Sequence, residues 1–98
     1  MGNLNQPEMS FLKNGKKFKI LNIKAKRGMK MPMHHSTKEA VIVVLKGEAT
    51  LKMPDVDHNL FDGTTFIIPE MVEHSLKVER DFFAFAIMEN DSEIEFEV

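Results

Sequence analysis

Apolar and polar residues alternate along most of this chain with a period of two, the pattern of β-strands that bury one face. The first clear run covers residues 18 to 25 and is rich in aliphatic side chains. Met29, Met31 and Met33 continue the alternation, but Pro32 lies among them. Because proline has no amide hydrogen to donate to a central ladder, this second run is predicted to be an edge or irregular strand.

Residues 40 to 45 are continuously apolar, and an alternating run follows from residue 48 to residue 53. Lys46 and Gly47 between them are typical of a turn, so the two runs predict a hairpin. The first run is apolar on both faces, so its outer face also needs a cover. A second copy of the chain is the simplest cover, and we therefore expect a homodimer.

Residues 66 to 68 and 82 to 88 are further apolar runs, and Asp62, Gly63 and Pro69 are turn residues that bound the first of them. Residues 74 to 78 and 93 to 98 alternate between apolar and polar. Residues 7 to 12 are the only segment whose pattern is compatible with a short helix. Many short strands with frequent turns predict an all-β sandwich or barrel. We expect one domain over residues 1 to 98, with residues 1 to 16 as an N-terminal arm.

The chain contains no cysteine, which excludes disulfides, thiolate nucleophiles and thiolate metal sites. This composition fits a reducing compartment, and the first residues lack the apolar run of a secretion signal. We therefore expect a cytoplasmic protein with no membrane anchor.

Formal charge is nearly balanced at −2, but residues 1 to 52 hold eleven Lys or Arg against three Asp or Glu, and the rest hold two against twelve. A basic half is one mark of nucleic-acid binding. However, the chain has no Tyr or Trp for base stacking. If the first strands pair with the last, the lysines instead meet Glu93, Glu95 and Glu97 across the sheet, so we expect no nucleic-acid partner.

Four side chains carry metal-binding chemistry: His34, His35, Glu39 and His74. Imidazole and carboxylate are the usual ligands of Zn, Fe, Mn and Ni, and strands bring distant residues together. His74 alternates in phase with the apolar residues at 76 and 78, which predicts that it faces the interior. An interior histidine held only by hydrogen bonds to protein is the simpler interpretation of His74 on its own.

Two motifs resemble those of the cupin superfamily. Gly28, five residues, His34, Glu39 and Gly47 are similar to the first family pattern of Gly, five residues, His-x-His, a few residues, Glu and a hairpin Gly. Gly63, five residues and Pro69, followed by His74, are similar to the second. The resemblance implies a small double-stranded β-helix barrel, often dimeric, in which histidines and a glutamate hold a divalent metal.

One departure from the family pattern concerns the second histidine. Counting from Gly28 puts Ser36 at its position, whereas counting back from Glu39 puts His35 there. Both alignments remain open, so either His34 or His35 joins Glu39 and the downstream histidine in the implied metal set.

The turn before the second motif's histidine carries the other departure. Met71 stands where the family commonly has Gly, so this turn uses a different backbone or carries strain. Met33, Ser36, Met71 and Phe85 are predicted to shape a ligand pocket beside the metal.

Two functions stay open. In the first, a divalent transition metal (Zn, Fe, Mn or Ni) and a small organic ligand share the barrel, with the reaction unassigned. In the second, the barrel binds or senses a small molecule without metal, which Ser36 in place of a ligand favours. Thioethers near residues 34 and 35 are also typical of Cu(I) sites; the candidates are Met29, Met31, Met33, Met71 and Met88. Because Met commonly fills irregular apolar pockets, the sequence favours that use instead.

Overall fold

The structure is a computed structural model that describes residues 7–96. Over these residues it contains strands and no helix, which confirms the all-β prediction. The strands are β1 (Glu8–Asn14), β2 (Phe18–Ala25), β3 (Lys30–Ser36), β4 (Ala40–Lys52), β5 (Asp57–Phe61), β6 (Thr65–Ile68), β7 (His74–Glu89) and β8 (Ile94–Phe96). Residues 7 to 12, where the sequence pattern was compatible with a short helix, lie mostly in strand β1. This strand forms much of the predicted N-terminal arm. Within residues 7–96, no helix is long and apolar enough to cross a membrane.

Two long strands, β4 and β7, organise the sheet. They pair with each other along most of their lengths. The other edge of β7 pairs with β3 near the start of the strand and with β2 near its end, while β6 and β5 pair with successive halves of β4. All of these pairs are antiparallel, and β1 and β8 lie at the ends of the path β1-β2-β7-β3-β8. The sheet therefore curls around one interior.

Strand β4 corrects the hairpin prediction. It runs without a turn through Lys46 and Gly47, and its register against β7 shifts repeatedly between Val44 and Ala49. Gly47 has a φ of 97°, and a Cβ at this position would clash with the Asp81 carbonyl oxygen. The glycine is needed for a bulge and a close backbone approach, which bend the strand instead of reversing it.

The pairing of the first strands with the last, which was the condition for the lysines to meet Glu93, Glu95 and Glu97, does not occur for β1 and β2. Strand β8 pairs with β3, and β2 lies between β1 and β7. Glu95 therefore meets His35, and Lys38 pairs with Asp91 at 2.9 Å. Glu97 lies outside the described residues.

Even-numbered positions of β7 face the interior along most of the strand, with the exposed Arg80 as the exception. The buried members are His74, Leu76, Val78, Phe82, Ala84, Ala86 and Met88. Strand β4 contributes buried residues on both sides of its bulges, of which Val44 and Leu51 are almost fully buried. These apolar side chains form the core, each contributing about 1.5–3 kcal/mol through burial when large.

The opposite side of the same strands carries an apolar row. Ile20 of β2 is in register with Ile87 of β7, Ile87 with Val41 of β4, and Val41 with Ile67 of β6. Three of the four are half-buried, and Ile67 is 56% exposed. We call this four-residue row the outer apolar row.

Candidate functional site

The local geometry of β3 decides which of the adjacent histidines faces the interior. Met31 is in register with Leu76 and His34 with His74, and the register shifts between them. In an unbroken strand, residues three apart face opposite sides. The irregularity at Pro32 instead turns both Met31 and His34 inward, where they are 6% and 5% exposed. Pro32 has no amide hydrogen, so no donor is lost from the ladder at that point.

His34 and His74 lie directly opposite each other in the interior. Their ring centroids are 4.2 Å apart, with the planes at 64°. His34 Nδ1 is 2.7 Å from the Pro32 carbonyl oxygen, and His74 Nδ1 is 2.9 Å from the Val72 carbonyl oxygen. A carbonyl only accepts, so each Nδ1 must donate, and in the neutral ring Nε2 is then the acceptor. Among the described residues, neither Nε2 has a hydrogen-bond partner.

Both imidazoles are neutral at neutral pH. Burial lowers the pKa of His34 to about 4, against a raising effect of the Pro32 hydrogen bond and with a smaller lowering effect of His74. Burial is also the main reason that the pKa of His74 is lowered. The pair therefore supplies two uncharged nitrogen lone pairs and no positive charge.

The two histidines line a small cavity of about 40 Å³. At about 10–15 Å³ of such space for one water, it has room for roughly three water molecules. Ser36 is the third polar residue of the lining; the apolar members are Met9, Ile23, Met31, Ala40, Ile42, Leu51, Leu60, Ile68, Leu76, Phe82, Ala86, Met88 and Ile94. No Asp, Glu, Lys or Arg of the described chain is among them. The interior is thus apolar apart from the histidine pair and one hydroxyl.

Strand β8 closes one side of this cavity. Ile94 contributes to the lining, and the Phe96 ring lies 5.0 Å from the ring of His34. His35 faces away from the cavity, and its Nε2 lies 3.0 Å from Glu95 Oε1 on the same short strand. The two neighbouring histidines of β3 therefore have different roles: one faces the cavity and the other attaches β8.

The four predicted metal ligands divide into two groups. His34 and His74 share the cavity, whereas His35 pairs with a carboxylate outside it and Glu39 is exposed. Glu39 faces outward because it directly precedes β4, whose first residue, Ala40, is 2% exposed and lines the cavity. In the part of the chain that the structure describes, no three His, Cys, Asp or Glu side chains form a group that could hold a metal ion.

The residues present do not fit the divalent ion that the sequence implied. Zinc, iron and manganese sites use three or four ligands, with carboxylates prominent among those of the harder ions. Two imidazoles converge here without a carboxylate, and the other inward positions nearby hold Ser36 and Ala40. The donor set is therefore too small and too neutral for that ion.

Of the four residues predicted to shape the pocket, the structure places only Ser36 on the cavity, 3% exposed. Met33 is 42% exposed because the irregularity in β3 turns it outward, and Met71 is 57% exposed. Phe85 lies on the outer face, where its ring packs against Phe83 at 5.6 Å. Phe85 lies an odd number of residues after His74 in β7, so strand alternation predicts that the two side chains face opposite sides. Met88 lies an even number of residues after His74, so the same alternation predicts that it faces the cavity.

Met71 keeps the backbone of a glycine. Its φ is 60°, in the left-handed region, so the turn carries strain, one of the two predicted outcomes. Its amide donates to the Ser36 carbonyl oxygen at 2.8 Å, and the carbonyl of the next residue, Val72, accepts from His74. The strained turn thus links the β3 side of the cavity to the residue that orients one imidazole.

The structure is similar to several solved proteins. A cupin superfamily protein from Desulfitobacterium hafniense has a TM-score of 0.78 at 18% identity, covering 93% of this chain and 84% of that one. An RmlC-like cupin with a double-stranded β-helix fold from Methanocaldococcus jannaschii has a TM-score of 0.75 at 25% identity, covering 87% and 81%. The DMSP lyase DddQ from Ruegeria pomeroyi has a TM-score of 0.83 at 17% identity, covering 93% of this chain and 51% of the lyase. No protein-family model and no curated protein sequence matches the chain.

Proposed function

The chain is a small cupin-fold domain, a double-stranded β-helix, and we propose that its interior binds a small neutral molecule through His34 and His74 without a resident divalent metal. The observation that carries this proposal is the fixed tautomer of the pair. Each Nδ1 is bound to a backbone carbonyl, which leaves the two Nε2 atoms as acceptors beside an apolar space. Binding or sensing, with no reaction assigned, is the function that this arrangement supports best.

The chemistry of the lining defines the ligand class. Two neutral acceptors select a ligand with a hydroxyl or N–H donor, and the apolar remainder of the lining selects a short hydrocarbon body. A carboxylate or phosphate would lose its hydration without a cation to replace it, at a cost of several kcal/mol. The space of about 40 Å³ admits only a few non-hydrogen atoms, so the ligand is a short alcohol or amide.

Binding of matched pairs of small compounds tests this proposal. Ethanol and acetamide should shift the imidazole resonances of both histidines, whereas acetate should not. His34→Leu and His74→Leu should each weaken ethanol binding about tenfold, because one acceptor is lost. His58→Leu, outside the cavity, serves as the matched control.

Two results would contradict the proposal. The first is equal binding of acetate and ethanol. The second is a stoichiometric divalent metal in protein purified without an affinity tag, lost on His74→Ala. The same nuclear magnetic resonance experiment reports the tautomers directly, and a proton on Nε2 of both rings would remove the acceptors on which the proposal rests.

We also propose that the outer apolar row is covered by a second copy of the chain. The row of Ile20, Ile87, Val41 and Ile67 crosses four strands, and the half-buried Phe85 lies beside it on β7. Protein interfaces bury apolar rows of this kind, and a two-fold axis places such a surface against itself.

The oligomeric state tests this second proposal. The protein should be a dimer at micromolar concentration by size-exclusion chromatography with light scattering, and Ile67→Lys should shift it toward monomer. Val56→Lys is the matched control, because Val56 is similarly exposed, at 54% against 56%, but lies in the segment before β5. A monomeric natural chain, or equal dissociation by both variants, would contradict the proposal.

A further inference from the structure

A second depression lies around Phe83, on the outward side of β7. It is a groove of about 440 Å³, a volume in the range of small-molecule sites, and none of the described residues that line it is a histidine. Phe83 lies four residues before Ile87 on the same side of the strand, a separation of about 13 Å. The groove is therefore separate from the histidine pair and lies to one side of the outer apolar row.

Two lysines flank the Phe83 ring because of the strand register. Lys24 of β2 and Lys46 of β4 are both in register with Phe83, one on each side of β7. Side chains of register partners in an antiparallel pair project from the same side of the sheet. Lys24 Nζ lies 5.6 Å from the centroid of the Phe83 ring, within the distance at which an aromatic face attracts a cation. An ammonium group is thus already placed over the aromatic ring.

The bulges in β4 bring Lys46 to this groove. The even-numbered residues of the strand from 40 to 44 are buried, and unbroken alternation would turn Lys46 inward as well. The register against β7 shifts on both sides of Lys46, and its side chain is exposed and lines the groove instead. Bulges commonly re-aim a side chain beside a binding site. The second lysine therefore owes its position to a specific irregularity of the backbone.

The charge of the lining favours an anion. Lys26 is its third lysine, and none of the three forms an ion pair with a described residue. Two carboxylates, Glu8 and Asp81, also line the groove, and Asp81 Oδ1 accepts a hydrogen bond from the Arg27 amide at 2.9 Å. Three lysines against two carboxylates give the lining a formal charge of +1. A ligand with a single negative charge would balance it.

We propose that this groove is a second binding site, which takes a small organic monoanion with a flat apolar body, such as an aromatic carboxylate. The carboxylate lies between Lys24 and Lys46, and the ring packs against Phe83 and Met29. Met29 Sδ accepts a hydrogen bond from the Lys26 amide at 3.3 Å, which holds the thioether in the lining, and thioether sulfur packs favourably against aromatic rings. The ligand class is the opposite of the one proposed for the interior cavity, so the two sites are independent.

Titration of the natural chain with sodium benzoate, followed by nuclear magnetic resonance, tests the proposal. Benzoate should shift the amide resonances of residues 24, 46 and 83 and leave both interior imidazoles unshifted. Benzyl alcohol has the same ring without the charge and should not shift these amides. Acetate has the charge without the ring and should bind about fivefold more weakly than benzoate. Added potassium chloride should weaken benzoate binding, because salt screens exposed charges.

Charge-removing variants identify the lysines. Lys24→Gln and Lys46→Gln should each weaken benzoate binding about two- to fivefold, the range of an exposed ion pair. Lys77→Gln is the matched control, because Lys77 is also an exposed lysine of the sheet but does not line the groove. Equal weakening by Lys77→Gln would reduce the effect to overall charge and would overturn the proposal. Equal binding of benzyl alcohol and benzoate would also overturn it.

Failure of this inference can be distinguished from failure of the proposed function. If ethanol shifts both imidazoles and benzoate shifts no amide of the groove, only the groove site is wrong. If benzoate shifts the imidazoles and not the groove, both are wrong, because the interior then accepts a carboxylate and the groove does not.

Discussion

Strands β4 and β7 present two faces that are both rich in apolar side chains but differ in what accompanies them. The inward face carries the fully buried core with His74 of β7, and it encloses His34 and Ser36 of the neighbouring strand β3. The outward face carries Val41 and Ile87, which are half-buried, and no buried histidine among the described residues. Apolar content alone therefore does not locate a binding site. The binding site is located instead by the enclosed polar groups, whose hydrogen-bonding capacity is only partly used.

Large-to-small substitutions on the two faces should separate them most clearly. Leu51→Ala on the inward face removes atoms from a side chain that is 2% exposed, and should lower the free energy of unfolding by about 2–5 kcal/mol. Ile67→Ala on the outward face, at 56% exposed, should cost less than about 1 kcal/mol in the monomer. Urea unfolding at low protein concentration measures both, and equal losses would contradict the distinction between a core face and an interface.

Acid should destabilise the inward face. The folded-state pKa of His34 is lowered to about 4 from 6.5, and that of His74 is also lowered, mainly by burial. Between pH 6.5 and 4 the unfolded chain binds protons at these residues that the folded chain does not, so folding stability falls as the pH falls through this window. For His34 alone the loss is roughly 3 kcal/mol at pH 4 relative to pH 7.

Unfolding free energies measured from pH 7 to pH 4 test this expectation. Carboxylates also contribute to acid destabilisation, so the informative quantity is the difference between the natural chain and His34→Gln. The variant should show a shallower loss over that window, whereas His58→Gln should follow the natural chain. A direct titration of the two imidazoles that gave ordinary pKa values would contradict the neutral pair.

A third interior histidine should convert the neutral pair into a metal site. Ser36 faces the cavity two residues after His34, so Ser36→His brings three imidazoles together, the ligand set of some zinc enzymes. Zn(II) at a hundredfold excess over its dissociation constant should then stabilise the fold by about 2.7 kcal/mol. Met33→His is the matched control, because the same side chain is added on the exposed side of β3. Stabilisation of the natural chain by zinc to the same extent would contradict the assignment of a metal-free pair.

The sequence predicted the all-β fold and the inward direction of His74, because strand alternation is regular from His74 to Val78. It did not decide between His34 and His35, and it misplaced Met33, because the irregularity at Pro32 changes which residues of β3 face inward. It also read Gly47 as a turn. A bulge adds one residue to one strand without a signal of its own in the hydrophobic pattern, so both errors have the same physical origin. The sequence also did not predict that Glu39 faces outward. That direction depends on β4 beginning at Ala40, and the exact ends of strands are weakly encoded in a sequence.

The smallest expected effect concerns the turn that joins the two sides of the cavity. Met71 has a φ of 60°, which costs a residue with a Cβ about 1–2 kcal/mol, whereas glycine adopts this conformation freely. Met71→Gly should therefore stabilise the fold, by up to about 1 kcal/mol after the greater entropy of glycine in the unfolded chain is subtracted. Met71→Ala keeps the Cβ and the strain, so it should give no gain and controls for the loss of the exposed side chain. Thermal unfolding measures both variants. If alanine stabilises as much as glycine, the effect comes from the side chain and not from the backbone. The hydrogen bond from the Met71 amide to the Ser36 carbonyl oxygen is then made without backbone strain.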